Sequence, residues 1–204
     1  PPSRLCQWTV AGMEGGHWPA GLRPPTPRNL GYLHWGNKST HTVHQFYLDR
    51  IRGICHSAAQ AGFEGLVTYG EDPAWLINMR LFYEAWSYFL EHPDRQVADF
   101  TRDRLAQWFG SADEARKATP LLLGLERQGL TRQNLAATLA TIRQDAAAAP
   151  TDKARQTWQE LAAFVQARLA EVEGGDRIVT DPAQVAALMR DGFAVPQETK
   201  TTLV

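Results

Sequence analysis

The sequence predicts an α/β fold with parallel strands in its first half and an all-helical C-terminal extension behind it. Three observations carry this expectation. Between residues 5 and 90, short apolar runs bounded by glycine and proline alternate with amphipathic stretches of helical period. Beyond residue 95 only helical periodicity continues. The composition changes between the halves as well. Residues 1–110 hold all six histidines, all five tyrosines, six of seven tryptophans, eleven of sixteen glycines and eight of twelve prolines. Residues 111–204 hold nineteen alanines and only three aromatics, Trp158, Phe164 and Phe193. Aromatic, histidine and Gly/Pro loops are the material of small-molecule sites, and an alanine-rich helical stretch supports or covers one. The chemistry is therefore expected in the first half.

In chain order, Leu5–Val10 (LCQWTV) reads as a short buried strand. A long Gly/Pro-rich loop over Ala11–Arg28 follows, containing Glu14, His17 and Trp18; loops of that length without periodicity are usually functional. Leu30–Trp35 (LGYLHW) reads as a second strand and Gly36–Thr42 as a polar loop. Val43–Ala61 is expected to be helical, because Tyr47, Ile51, Ile54, Cys55 and Ala58 recur on one face, with Thr42 as N-cap and Gly62 as stop. Gly65–Gly70 (GLVTYG) is too short for a helix and reads as a third strand. After the break at Glu71-Asp72-Pro73, an aromatic-rich helix is expected from about Ala74 to Leu90. Further helices are expected over Val97–Phe109, Leu135–Ala149 and Asp152–Val172, with a short one over Pro182–Arg190.

Charge and cysteine content exclude several classes. The 204 residues carry 21 Lys+Arg against 22 Asp+Glu, a net charge of −1, which gives no electrostatic case for nucleic acid or an anionic membrane. No apolar run approaches the ~18 residues of a membrane span. Two cysteines make neither a disulfide scaffold nor a zinc pattern. The nucleophile-elbow, P-loop and dinucleotide-binding motifs are missing, so no cofactor is implied. The chain opens on Pro1 without a Met or a secretion-type leader, so it is read as a fragment whose start says nothing of compartment.

Parallel strands gather ligand groups at their C-terminal ends. Those ends are Val10–Glu14, His34–Asn37 and Tyr69–Asp72, each polar or aromatic. Glu71 follows a buried strand and adjoins Gly70; beside Tyr69 and Trp75, a partly desolvated carboxyl suits general-acid work. Its plainer alternative is a helix cap, a role that fits Asp72 better, immediately before Pro73. Glu14 is the candidate second carboxylate; the alternatives are a solvated loop acid and a partner carboxylate on a strand absent from this chain. His34 offers a hydrogen-bond donor and Trp35 a flat face for a sugar ring, with core packing as the competing role. His41 and His44 have the i, i+3 spacing of a shared metal, but no HExxH accompanies them. His56 and His92 read as helix-surface or helix-end residues, and both cysteines as small core residues.

The run Gly62–Glu71 (GFEGLVTYGE), then Asn78, Phe82-Tyr83-Glu84-Ala85-Trp86, His92-Pro93-Asp94, Phe100 and Trp108-Phe109-Gly110, resembles the closing part of a (β/α)8 glycoside hydrolase. The resemblance is to the alpha-glucuronidase-like and related bacterial polysaccharide-degrading families and covers about residues 1–115. It implies a partial (β/α)8 barrel over residues 1–95, carrying about three of the eight strands, and a helical extension over residues 96–204. It also implies a carbohydrate substrate and, as partner, the missing N-terminal part of the same barrel. The expected site is thus Glu71 as catalytic carboxylate, with Glu14, His34, Trp35, Asn37, Tyr69 and Trp75 binding the sugar and no metal. Two rivals stand beside hydrolysis: a non-catalytic carbohydrate-binding or structural module, and a metal-dependent hydrolase using His34, His41 and His44.

Overall fold

The structure is a computed structural model that describes residues 6–9, 29–33, 47–68, 77–126, 131–174, 177–179 and 201–203. Three short strands, β1 (Cys6–Thr9), β2 (Asn29–Leu33) and β3 (Gly65–Thr68), form one parallel sheet in the order β1-β2-β3. Each overlaps a run expected to be a strand. The crossover from β2 to β3 includes helix α1 (Asp49–Ala61), whose Ile51, Ile54, Cys55 and Ala58 make one buried stripe. That is the stripe the spacing predicts, but the helix starts at Asp49 rather than Val43, with Leu48 as its N-cap residue. Gly62 stops it in the left-handed region at φ 89°, and the Phe63 amide bonds back to the Ala58 carbonyl at 3.0 Å. This is the Schellman ending that glycine adopts without strain. It drops Phe63 into the core beside Leu66 of β3.

Helix α2 (Ile77–Glu91) buries nine of its fifteen residues, from Ile77 to Phe89. A helix apolar on most of its circumference must be surrounded. Its neighbours are α1, Phe100 at the end of α3 (Val97–Phe100), and the long helix α7 (Asp152–Gly174). A π-helical segment, Thr101–Leu105, and α4 (Ala106–Trp108) continue directly from α3. Gly110, at φ 76°, then turns the chain into α5 (Ala112–Leu125). Helices α6 (Arg132–Ala148) and α7 pack as an antiparallel hairpin, because only Ala149–Thr151 join them. Each is capped by a threonine: the Thr131 hydroxyl accepts the Asn134 N–H at 3.2 Å, and Thr151 that of Ala154 at 3.1 Å. Two last strands, β4 (Arg177–Val179) and β5 (Thr201–Leu203), pair in parallel as a separate sheet, so the extension expected to be all-helical is not entirely so. The short helix expected over Pro182–Arg190 lies outside the described residues.

The expected partial (β/α)8 barrel is overturned. Most described residues are helical, and one continuous apolar core runs from Tyr47 to Leu169. Among the residues whose burial is described, nearly all of that core lies on helices or their flanks, with Leu66 of β3 joining it. A barrel does the reverse and fills its centre with side chains from a closed ring of strands. The reason lies in α2 and the helices after it. Rather than returning the chain to a fourth parallel strand, α2 is enclosed by other helices and leads into four more helical stretches. Helix α5 lies where no helix was expected, and it carries Pro120 inside.

Gly31 shows how closely the sheet meets its helical cover. It is buried in β2, and a methyl group there would collide with Leu66 Cδ2 and touch the Phe63 ring. Gly31→Ala is expected to destabilise the chain by about 1–3 kcal/mol, the usual cost of forcing extra volume into a packed core. A chemical-denaturation midpoint equal to that of the parent chain would contradict this expectation.

Candidate functional site

In the parallel sheet, Thr9 of β1 pairs with Tyr32, and Leu33 of β2 pairs with Thr68 of β3. All three strands therefore run out at one rim, and strands so paired lie about 4.8 Å apart. The segments beginning at residues 10, 34 and 69 are bonded directly to those ends. The seven residues expected to form the site, Glu14, His34, Trp35, Asn37, Tyr69, Glu71 and Trp75, all belong to these segments and lie outside the described residues. His41 and His44 do too.

Helix α1 adds an element to this rim. Only Gly62–Glu64 separate its end from the start of β3, and it packs on that strand. Its C-terminus therefore sits where the strands begin, and its N-terminus points toward the end where they finish, as in any βαβ crossover. At that N-terminus the N-cap residue, Leu48, has no side-chain group to cap the helix. The carboxylate of Glu126, at the end of α5, does so instead. Its Oε2 accepts the N–H groups of Leu48 at 3.2 Å and Asp49 at 2.9 Å, and its Oε1 accepts that of Arg50 at 2.7 Å. Burial pushes the Glu126 pKa above its ordinary value, and nearby Asp49 adds to the rise; the three N–H bonds oppose it without cancelling it. Sequence reasoning missed Glu126, since its partners lie 76 to 78 residues away.

A second carboxylate, the buried Glu114, anchors the helical part. It accepts the indole N–H of the fully buried Trp158 at 2.7 Å and the Lys117 ammonium at 2.6 Å. Burial alone raises its pKa, but the bonds from Lys117 and Trp158 and the Lys117 charge outweigh burial and hold the carboxyl below its ordinary range. This residue did have a local signal, the S-x-x-E pattern of Ser111 and Glu114, whose N–H donates to the Ser111 hydroxyl at 3.1 Å. An open groove of about 730 Å³ is lined by Ser111, Asp113, Glu114, Arg116, Lys117 and Pro150. The Glu114 carboxylate and the Lys117 ammonium in it are already bonded to each other, so it presents no converging free groups.

The remaining polar contacts are structural. Tyr88 donates to Asp103 Oδ2 at 2.8 Å, and burial together with that carboxylate pushes the phenol up to about 12. His56, on α1, bonds the Pro93 carbonyl at 3.2 Å, and His92 is exposed just past α2, so both are helix-surface or helix-end residues as expected. Among the described residues, no three His, Cys, Asp or Glu side chains converge to hold a metal. None of the described helices is long and apolar enough to cross a membrane. Comparison with family models, with curated proteins and with solved structures returns no match for this chain.

Cys55 is buried on α1, and burial pushes its thiol up to about 12. In a Cys6→Ser background it is expected to resist iodoacetamide at pH 8 until the chain is unfolded, because the thiolate is the reactive form. Rapid native-state labelling would refute this. The buried Glu114 and the half-buried Glu126 give opposite pH slopes. Glu114, depressed when folded, contributes stability above the unfolded value of 4.5 and loses it as pH falls through its folded pKa. Glu126, raised when folded, contributes stability that is complete below 4.5 and declines as pH rises through its folded pKa. Denaturation midpoints measured across pH 3–7 are expected to lose the first slope in Glu114→Gln and the second in Glu126→Gln. Profiles parallel to the parent's in both variants would reject these assignments.

Proposed function

We propose that this chain acts on a carbohydrate as part of a glycoside hydrolase, with Glu71 as the acid that protonates the departing glycosidic oxygen. The observation that supports the reading is the common rim. β1, β2 and β3 end side by side, and the segments that continue from them contain Glu14, His34, Trp35, Asn37, Tyr69, Glu71 and Trp75. Ligands of open parallel sheets bind outside the carboxyl ends of the strands, so no closed barrel is required. The residue types suit a sugar. Indole and phenol rings offer apolar faces to the C–H face of a pyranose, while His, Asn and carboxylates bond its hydroxyls.

Glycoside hydrolysis requires two carboxyl groups, ~5 Å apart for retention of configuration or ~6.5–9.5 Å for inversion. Glu71 and Glu14 are the pair these segments supply. Glu71, when protonated, donates to the glycosidic oxygen as the bond to the anomeric carbon breaks. Glu14 as a carboxylate takes the other role, removing a proton from the attacking water or attacking the anomeric carbon itself.

The test combines reducing-sugar release from soluble xylan, β-glucan and starch with titration of tryptophan fluorescence by xylopentaose, cellopentaose and maltopentaose. Turnover of at least one polysaccharide is expected. Glu71→Gln is expected to lower it by about 10²–10⁴-fold, the usual weight of a general acid, while binding persists. Turnover unchanged in Glu71→Gln would overturn the assignment. Binding with no turnover in the parent chain would replace hydrolysis with a non-catalytic carbohydrate-binding module. Neither binding nor turnover would overturn the carbohydrate reading itself.

A further inference from the structure

Between α3 and α4 the chain winds as a π turn over Thr101–Leu105, and the Ala106 N–H reaches back to the Thr101 carbonyl, five residues earlier. A turn of this kind holds one residue more than an α-helical turn and has poorer hydrogen-bond geometry, so it persists where the added residue has a use. The flanks show what this turn preserves. Phe100 and Phe109 are both fully buried, Phe100 against Tyr88 and Phe89 of α2, and Phe109 against Trp158 of α7. They lie nine residues apart. At about 100° per residue, an unbroken α-helix would set them half a turn from each other. With one residue taken up by the π turn they come within a quarter turn. Val97, Phe100, Thr101, Leu105 and Phe109 then share one stripe facing the core.

The middle of the turn shows which residue it makes room for. Thr101 and Leu105 are buried, whereas Arg102 is exposed and Asp103 and Arg104 are half-buried. Of these three, Asp103 is the one that meets the polar group of a buried side chain. Its Oδ2 accepts the hydroxyl of Tyr88 at 2.8 Å, and Tyr88 is 2 % exposed. A buried hydroxyl left without an acceptor is costly. Arg104 lies over the same ring at 5.9 Å and pairs with Glu84 at 3.3 Å, but a guanidinium accepts nothing. Asp99, the other carboxylate near this ring, is committed elsewhere. It accepts the Gln96 N–H at 2.9 Å in the cap of α3 and pairs with Arg102 at 3.0 Å and Arg95 at 3.5 Å. The widened backbone is also provided for, since the Gln107 amide donates to the Asp103 carbonyl at 2.7 Å.

We infer that Asp103 is a residue in excess of what the packing of the α3–α4 helix needs, held there to serve Tyr88, and that the π turn is the conformational device that admits it without rotating Phe109 out of the core. Eight residues in α-helical winding would carry Phe100 to Phe109 with the same relative facing that nine achieve through the π turn. Deleting Asp103 therefore regularises the helix and leaves both phenylalanines in place; what is lost is the acceptor for the phenol. This role is independent of the carbohydrate site proposed above.

The experiment deletes Asp103 in the parent chain and in Tyr88→Phe, which keeps the ring against Phe89 and Phe100, and follows chemical denaturation by far-UV circular dichroism. In the parent, the deletion is expected to raise the unfolding equilibrium constant about tenfold or more, the weight of a buried hydroxyl left unpaired. In Tyr88→Phe, where no hydroxyl needs an acceptor, the same deletion is expected to leave the midpoint at or above the Tyr88→Phe value, because an α-helical turn replaces the π turn. As a control, deletion of Ser87 removes an exposed residue of α2, where no π turn takes up the change. It is expected to abolish cooperative unfolding in both backgrounds. A deletion of Asp103 that costs as much in Tyr88→Phe as in the parent would overturn the proposal, and so would one that leaves the parent's midpoint unchanged. Equal tolerance of the Asp103 and Ser87 deletions would overturn it too, because α3–α4 would then hold no residue in special excess. If the parent does not fold without Asp103, the Tyr88→Phe chain decides: folding there at the Tyr88→Phe midpoint supports the spare residue, and failure to fold overturns it.

Discussion

Helix α2 must be covered on most of its circumference, and the rest of the fold is built to meet that requirement. Ile77, Leu81, Phe82, Ala85, Trp86, Tyr88 and Phe89 leave water together, and burying large side chains of this kind contributes about 1.5–3 kcal/mol each. No single neighbour can enclose them. Helix α1 covers one side, Phe100 packs against Tyr88 and Phe89, and α7 closes another. The surface that closes it last comes from α7, which begins at Asp152, and this is why α6 and α7 belong to the same core as α1. Phe63 and Leu66 join the start of β3 to this core.

Apolar burial is not directional, so polar ties select one arrangement among those that would bury the same surface. The Trp158 indole N–H is fully buried and reaches Glu114; without an acceptor it would cost about 1–3 kcal/mol. The Thr157 hydroxyl donates to the Trp108 carbonyl at 2.8 Å, locating α7 against the end of α4. Arg80 pairs with Glu160 and lies over the Trp108 ring at 5.3 Å, joining α2, α4 and α7 at one point. Phe109 meets Trp158 edge-on at 4.8 Å. These contacts fix the rotation of α7 about its own axis. Glu126 does the same for α1 from the opposite end of α5.

This arrangement bears on function through direction. In a parallel crossover the helix must run against the strands, so α1 begins at the rim where β2 and β3 end. The helical body built around α2 and the parallel sheet thus meet through α1, which packs on both α2 and β3.

Much of the local structure was legible without coordinates. The Ile51–Ala58 stripe, the stop at Gly62, the cap at Thr151 and the three strand cores are set by residues within one or two turns of each other, and such interactions are written in consecutive sequence. Helix α5 was not anticipated, and it carries Pro120 on an exposed side, where one lost hydrogen bond is tolerated. Nor was the start of α1, because the group that caps it is 76 to 78 residues away. The barrel expectation failed for a related reason. Alternating strands and helices specify parallel pairing, but closure depends on what each helix packs against, and a pattern of apolar positions does not name the surface that covers it. By itself the sequence determined the first three strands, most of the helices and the residues that continue from the strand ends; the tertiary structure decided that α2 faces helices and that Glu126 reaches α1, since burial and long-range capping depend on neighbours that only the folded chain brings together.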